Sequence, residues 1–256
     1  MTRVGCCGFS FDEWVGTFYP KDLQSIDFLE YYSRYFDCVE LDSTLYSVPK
    51  FDTVKRWHDV TPNDFLFFAK MPLKITHEKM LFDVKEETNY FLASIKPLRH
   101  KLGMVLILLP TKFTKDLYFE RLRFYIQNFP REIPLAIEFG SMTWEDELVY
   151  HMLRKYSVIL AWRASADRRL AKTAPLTYVR FIGAKTDTKT IDHQPDYIAS
   201  RKELARFDHS EAYVVVNSHY EGFAPASAVK IKEVFGLEQR SWPTASQTQL
   251  AEFEST

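Results

Sequence analysis

Cysteine is scarce in this sequence, and its spacing excludes a disulfide framework. There are three cysteines in 256 residues, and two of them, Cys6 and Cys7, are neighbours. An odd number of cysteines cannot all pair, and adjacent cysteines do not have the spacing of a zinc-binding motif. All three, including Cys38, fall in apolar segments that we predict to be strands, where cysteine usually behaves as a small buried hydrophobe.

The sequence also lacks an excess of charge of either sign and any long hydrophobic run. Its 33 basic and 34 acidic residues give a net charge of −1, which does not favour nucleic acid or an anionic membrane surface as a partner. The longest apolar run, Met104 to Leu109, is too short to span a bilayer. We therefore expect a soluble, cytoplasmic protein without a membrane partner, and the sequence does not predict its oligomeric state.

Apolar runs with the length of strands alternate with helical patterns along the chain. Eight such runs lie near residues 4–8, 38–41, 65–70, 103–109, 134–138, 158–162, 176–181 and 212–216. Between the first two, a helix is predicted from Ser25, as its N-cap, to Tyr35, with Ile26, Leu29 and Tyr32 on one buried stripe. No Gly-x-Gly-x-x-Gly motif follows the first run, which counts against a dinucleotide-binding fold, and we predict no cofactor.

This alternation predicts an α/β protein with the architecture of a (β/α)₈ TIM-type barrel in a single domain. We assign the barrel to residues 1–240. Residues 241–256 are polar and rich in Ser, Thr and Gln, and we expect them to form a C-terminal tail.

Charged or amide side chains stand at the ends of several predicted strands. Because TIM-barrel active sites lie at the C-terminal ends of the strands, and charged side chains are rarely buried unless paired, these residues predict one polar pocket. Its members would be Glu40, Asp42, Lys70, Glu138, Arg180 and Asn217, with His77 and His219 on adjoining loops.

Two carboxylates from nearly opposite sides of the barrel suggest acid/base chemistry. Glu40 and Glu138 could divide the two roles, as in glycoside hydrolysis, or one of them could abstract a proton beside a carbonyl. Lys70 could form a Schiff base or support the carboxylates electrostatically. We predict Glu40, Lys70 and Glu138 as the catalytic residues.

Metal ligation is an alternative for the same carboxylates. The ligands would be Glu40, Asp42, Glu138 and His219. Two cations at neighbouring strand ends, Lys70 and Arg180, would oppose a bound metal, and we therefore predict no metal site.

An anion site is predicted between Arg180 and the last helix. Barrel enzymes often bind phosphate at the loops that follow strands seven and eight. Here Gly222 precedes a helix whose early Pro225 leaves the N-terminal amides free. The alternative is that Arg180 pairs with Glu138 or Glu40 and has no anion to bind.

Four segments, in order, resemble the signatures of the YecE-like family of barrel proteins of unassigned function. They are GCCGFSFDEWVGTFYP, VELDSTLYSVP, FFAKMPLKITH and NSHYEGFAP. The resemblance runs from Gly5 to about Phe235 and implies the barrel, and the family is sometimes described as related to sugar isomerases. Matching positions are Glu40, Ser43, Thr44, Tyr46, Lys70, Thr76, His77, Glu138, Arg180, Asn217 and Pro225.

The sequence departs from the family pattern at positions close to the predicted pocket. Asp42 stands where Asn is usual, Leu108 where a Gln is frequent, Gly140 and Ser141 replace an Arg–His pair, Ile182 replaces a His, and Ser218 a second Asn. These departures imply a divergent specificity or a binding role without catalysis.

We predict an enzyme, isomerase-like or hydrolase-like, that acts on a small polar, sugar-like or phosphorylated substrate. The predicted binding residues are Asp42, Ser43, Tyr46, His77, Arg180, Asn217, His219 and Gly222. The alternative is a non-catalytic module that binds nucleic acid or another anionic partner at the C-terminal face. That module would use Arg180, Lys70 and the aromatic loop from Phe11 to Tyr19.

Overall fold

Eight parallel strands close into one barrel in the computed structural model, which describes residues 2–164, 171–182, 211–217 and 224–242. Each strand pairs with the next along the chain, and the last pairs with the first. The strands are β1 (Thr2–Cys7), β2 (Cys38–Leu41), β3 (Leu66–Lys70), β4 (Leu102–Leu109), β5 (Leu135–Phe139), β6 (Ile159–Arg163), β7 (Thr177–Ile182) and β8 (Ala212–Asn217). The predicted barrel is thereby confirmed.

In the described residues, α-helices follow strands β1 to β5 and strand β8. They are α1 (Phe28–Tyr32), α2 (Ser43–Tyr46), α3 (Phe51–Val60), α4 (Lys85–Ile95), α5 (Lys115–Asn128), α6 (Glu147–Lys155) and α7 (Ala224–Phe235). In the described part of the chain, no helix has the length and apolar character needed to cross a membrane.

The helix predicted from Ser25 to Tyr35 is wrong in its extent. The chain forms a 3₁₀ turn over Ser25–Asp27, and the α-helix covers only Phe28–Tyr32. A 3₁₀ turn has three residues per turn, so it rotates Ile26 away from the buried stripe of Leu29 and Tyr32. Ile26 is accordingly 63% exposed.

Residues of the predicted C-terminal tail fall mostly outside the described residues. Trp242, which belongs to that stretch, packs edge-on against Phe18 and Tyr35, and its indole nitrogen donates to the carbonyl oxygen of Thr17 at 3.2 Å. The packed body of the protein therefore includes this residue.

Two apolar clusters fill the molecule, one between strands and helices and one inside the barrel. Strand alternation sends every second side chain inward. The inner cluster includes Cys7, Cys38, Phe68, Met104, Leu106, Ala136, Ala161, Tyr178 and Val215. All three cysteines are buried and free, as predicted. The next inward position on β2, β3, β5, β6 and β7 is a charged residue, namely Glu40, Lys70, Glu138, Arg163 and Arg180, so the charges lie on top of an apolar floor.

Candidate functional site

Glu40 lies at the centre of a buried network of charges. Its side chain is 0% exposed, and Arg180 binds it through two donors, Nε to Oε2 at 2.8 Å and Nη2 to Oε1 at 2.8 Å. Lys70 Nζ lies 3.0 Å from Oε1, and the hydroxyl of Tyr178 donates to Oε2. Burial alone would raise the pKa of Glu40, but the charges of Arg180 and Lys70 outweigh it and hold the pKa well below its usual range. Glu40 is therefore an ionised, inaccessible anchor for two cations.

Lys70 connects Glu40 to Asp42. It is 1% exposed, and its ammonium group has three partners, Glu40, Asp42 and the Sγ of Cys7 at 3.0 Å. The contacts with Asp42 and Cys7 are hydrogen bonds, and the contact with Glu40 is an ion pair at 3.0 Å. Burial would lower the pKa of Lys70, but Glu40, Cys7 and Asp42 together outweigh burial and raise the pKa above its ordinary value. Burial, followed by the charge of Glu40, raises the pKa of Cys7, and its thiol stays neutral.

Arg180 connects Glu40 to Glu138 across strand β6. Its Nη1 donates to Oε2 of Glu138 while Nε and Nη2 hold Glu40. β6 lies between β5, which carries Glu138, and β7, which carries Arg180. On β6, Ala161 of the inner cluster is aligned with Tyr178, and Arg163 is aligned with Arg180. Burial opposes the charged form of Arg180, but Glu138 and Glu40 raise its pKa above the ordinary value.

Exposure increases from the centre of the network to its two ends. The side chains of Glu40, Lys70 and Arg180 are 0%, 2% and 3% exposed, whereas those of Glu138 and Asp42 are 13% and 25% exposed. The order of contacts is Asp42, Lys70, Glu40, Arg180, Glu138. Within this network of described residues, the two outer carboxylates are therefore more accessible than either cation.

The structure brings five of the predicted site residues together. The united set is Glu40, Asp42, Lys70, Glu138 and Arg180.

Ser43 and Tyr46 lie on α2 and are exposed, Tyr46 to 71%. Between them, the buried Thr44 accepts a hydrogen bond at 2.9 Å from the backbone N–H of Lys70, which fixes α2 against the end of β3. Asn217 is half-buried at the end of β8. His219 and Gly222 lie outside the described residues.

His77 lies on a π-helical turn, Lys74–Glu78, and is half-buried. Its Nδ1 is 2.8 Å from Oγ1 of Thr76, and Oγ1 in turn donates to the carbonyl oxygen of Pro72 at 3.4 Å. Burial, together with the nearby charge of Lys112, lowers the pKa of His77. His77 is therefore neutral at pH 7.

Departures from the family pattern change the wall of the open end. Leu108 is aligned with Glu138 on the neighbouring strand and packs against the inner apolar cluster. Ile182, two residues beyond Arg180, is half-buried. A Cβ atom at Gly140 would lie 2.6 Å from the carbonyl oxygen of Leu109, so the arginine of the family pattern cannot replace Gly140 without a backbone shift. Ser218 lies outside the described residues.

Two members of the site have no charge and were missed in the sequence. Cys7 contacts Lys70, and Tyr178 donates to Glu40. Cys7 and Tyr178 each stand at an inward strand position next to a predicted charge, and that parity is the signal that could have found them.

Aromatic residues of the loop after β1 belong to the core. Trp14, Phe18 and Tyr19 are buried, and the Tyr19 ring stacks on Phe28 with centroids 4.0 Å apart. These rings cannot stack on nucleic-acid bases in this position. Phe11, which is half-buried, packs against Trp14.

The candidate metal ligands do not form a metal site in the described part of the chain. Within residues 2–164, 171–182, 211–217 and 224–242, no group of three or more His, Cys, Asp or Glu side chains is placed to hold a metal ion. The fourth ligand considered from the sequence, His219, is not among those residues.

Comparisons with known proteins match nearly the whole chain to one family. Residues 3–251 match the family model described as "Protein of unknown function DUF72". The UPF0759 protein YecE of Escherichia coli is 32% identical over 139 residues, which are 54% of this chain and 48% of that protein. The UPF0759 protein YunF of Bacillus subtilis is 30% identical over 170 residues, 63% of this chain and 58% of that protein. The matched segments thus span about half the length of these curated relatives.

Two solved structures share the fold. A DUF72 family protein of Thermotoga maritima superposes with a TM-score of 0.74 at 29% identity, covering 92% of this chain and 99% of that chain. A DUF72 family protein of Enterococcus faecalis superposes with a TM-score of 0.70 at 21% identity, covering 93% of this chain and 98% of that chain.

Proposed function

This chain belongs to the DUF72 family of proteins of unknown function, and from that premise we propose that it is an enzyme that acts on a small polar, sugar-like or phosphorylated substrate by carboxylate acid/base chemistry. The observation that carries the proposal is the pair of partly exposed carboxylates, Asp42 and Glu138, at the two ends of one buried chain of charges. Carboxylates that ion pairs already hold in position need no rearrangement to accept a proton.

The proposal changes the roles predicted for the three catalytic residues. Glu138 keeps a catalytic role, because it is inward-facing and partly exposed. Glu40 and Lys70 become positioning residues, because they are buried and hold each other and the outer groups. Asp42 takes the place of Glu40 as the second substrate-facing carboxylate.

Proton abstraction fits this arrangement better than acid-assisted hydrolysis. Hydrolysis of a glycoside needs one carboxyl group that is protonated when the substrate binds. Here Arg180 donates to Glu138 and Lys70 donates to Asp42, an arrangement that suits ionised bases. An isomerase-like step, in which Glu138 removes a proton beside a carbonyl, therefore heads our proposal.

A nucleic-acid-binding role has little support in the geometry. The two cations on which that alternative depends, Lys70 and Arg180, are buried with carboxylate partners. Three of its stacking aromatics, Trp14, Phe18 and Tyr19, are core residues. We therefore do not propose it as a second function.

Hydrogen–deuterium exchange tests the proposal without knowledge of the product. The protein is incubated in D₂O with a panel of aldoses, ketoses and their phosphates, and loss of the proton beside the carbonyl is followed by ¹H NMR. We expect exchange with at least one compound. In Glu138→Gln the exchange rate should fall by roughly 100-fold or more, since a general base contributes on that scale.

The matched control is Glu30→Gln, which alters an exposed carboxylate on α1. It should exchange at the wild-type rate. Equal exchange rates in wild type and Glu138→Gln, or no exchange with any compound of the panel, would contradict the proposal.

A further inference from the structure

The cations of the network have few donors left for a ligand. Lys70 donates to Asp42 and Cys7 and pairs with Glu40, and Arg180 uses three of its five N–H groups on Glu40 and Glu138. Both side chains are almost completely buried. An incoming phosphate or carboxylate would have to displace a carboxylate of the protein before it could pair with either cation.

Within the network of described residues, the most exposed groups are hydrogen-bond acceptors. Asp42 and Glu138 present carboxylate oxygens, which accept hydrogen bonds from hydroxyl groups and repel anions. This polarity is the opposite of a phosphate site, in which arginine or lysine donors face the ligand.

Apolar side chains border the same carboxylates. Leu108 is aligned with Glu138 on the neighbouring strand, and Ile182 ends β7 beyond Arg180. Both are half-buried, so part of each side chain remains exposed at the open end. Binding sites commonly combine such apolar walls with a few polar groups that orient the ligand. A ligand with C–H faces and hydroxyl donors would be complementary to this combination.

We propose that the open end of the barrel binds an uncharged polyhydroxylated ligand, a free sugar or sugar alcohol, in preference to its phosphorylated form. The ligand's hydroxyls donate to Asp42 and Glu138 while its C–H face lies against Leu108 and Ile182. This inference rests on the proposed function for the location of the site, and it decides between the two substrate classes that the proposed function leaves open.

Matched pairs of probes test the preference. Wild-type protein is titrated by isothermal calorimetry with pentoses, hexoses and sugar alcohols, each beside its monophosphate, and with inorganic phosphate. In every pair that shows binding, we expect the neutral member to bind at least tenfold more tightly. Tighter binding of the phosphorylated members, or failure of every neutral member to bind at millimolar concentrations, would overturn the inference.

The variant Glu138→Gln should change the affinities for phosphorylated and neutral probes in opposite directions. It replaces the carboxylate beside Arg180 with a neutral amide, so the network of two cations and three carboxylates changes from a net charge of −1 to 0. We expect the phosphorylated probes to gain affinity, since less negative charge opposes them, while the neutral probes bind more weakly. Unchanged affinity for the phosphorylated probes in this variant would contradict the placement of the ligand beside Glu138.

Arg163→Ala tests the exposed cation at the same end of the barrel. Arg163 is the last residue of β6, two residues beyond the inward Ala161 and aligned with Arg180, so it lies at the open end. We expect this variant to bind neutral sugars as wild type does. A preference of wild type for the phosphorylated probes that is lost in Arg163→Ala would overturn the inference.

The binding and exchange experiments distinguish failure of this inference from failure of the proposed function. Tight binding of a neutral sugar without proton exchange would contradict the proposed enzymatic function and leave this inference intact. Proton exchange that occurs only with phosphorylated sugars would leave the enzymatic function intact and overturn this inference.

Discussion

Glutamine at position 40 would remove the central charge of the network and keep its shape. Glu40 accepts two hydrogen bonds from Arg180 at 2.8 Å, contacts Lys70 at 3.0 Å, and accepts a further hydrogen bond from Tyr178. In Glu40→Gln, two buried cations would each lose one carboxylate partner. Removing one member of a buried ion pair destabilises a protein by about 3–5 kcal/mol, and we expect a loss of that size.

Urea denaturation at pH 7, followed by circular dichroism, measures this loss as the change in the free energy of unfolding. The control is Glu30→Gln, in which the altered carboxylate is 48% exposed and lies 3.1 Å from Arg34. Exposed pairs of this kind contribute about 0.2–1 kcal/mol. A loss in Glu40→Gln no larger than that of the control would refute the reasoning, because the two buried cations would then not depend on Glu40.

Three further predictions concern acid, packing and metal. The pKa of Glu40 is depressed in the folded state. The stabilising effect of Glu40 is therefore complete above about pH 4.3, the ordinary pKa of glutamate, and is lost as the pH falls toward the depressed pKa. The urea midpoint of Glu40→Gln should accordingly fall less steeply in acid than that of wild type. Gly140→Ala should lower stability by about 1–3 kcal/mol, since the added Cβ would lie 2.6 Å from the carbonyl oxygen of Leu109 and 2.7 Å from the amide nitrogen of Thr111; an unchanged melting temperature would contradict this. EDTA should leave the melting temperature of wild type unchanged, because Lys70 and Arg180 already bind Glu40, and a drop restored by Mg²⁺, Mn²⁺ or Zn²⁺ would contradict it.

Much of the fold could be predicted because parallel strands are covered on both faces. A segment such as Met104 to Leu109 is apolar throughout, and its length and bounding residues are enough to identify it as a strand. The short α1 helix was harder to predict, because a 3₁₀ turn at Ser25 changes the period without changing the composition. Local periodicity therefore predicts the order of elements better than their limits.

Charges at strand ends predicted the members of the site but not their depth. Alternation predicts Glu40 and Asp42 on one face of a strand, yet β2 ends at Leu41 and Asp42 precedes α2 with helical backbone angles. Glu40 is accordingly 0% and Asp42 25% exposed. A two-residue spacing does not show where the strand ends. Residues without charge, such as Tyr178, were missed because buried aromatics are expected in any core.

The central claim is that Asp42 and Glu138 face the open end of the barrel while Glu40 is sealed beneath them. Carbodiimide-activated labelling of the native protein with an amine, followed by peptide mapping in a mass spectrometer, measures the accessibility of each carboxylate directly. We predict modification of Asp42 and Glu138 and protection of Glu40 until the protein unfolds. Labelling of Glu40 at the rate of the other two, or complete protection of Glu138, would contradict the claim.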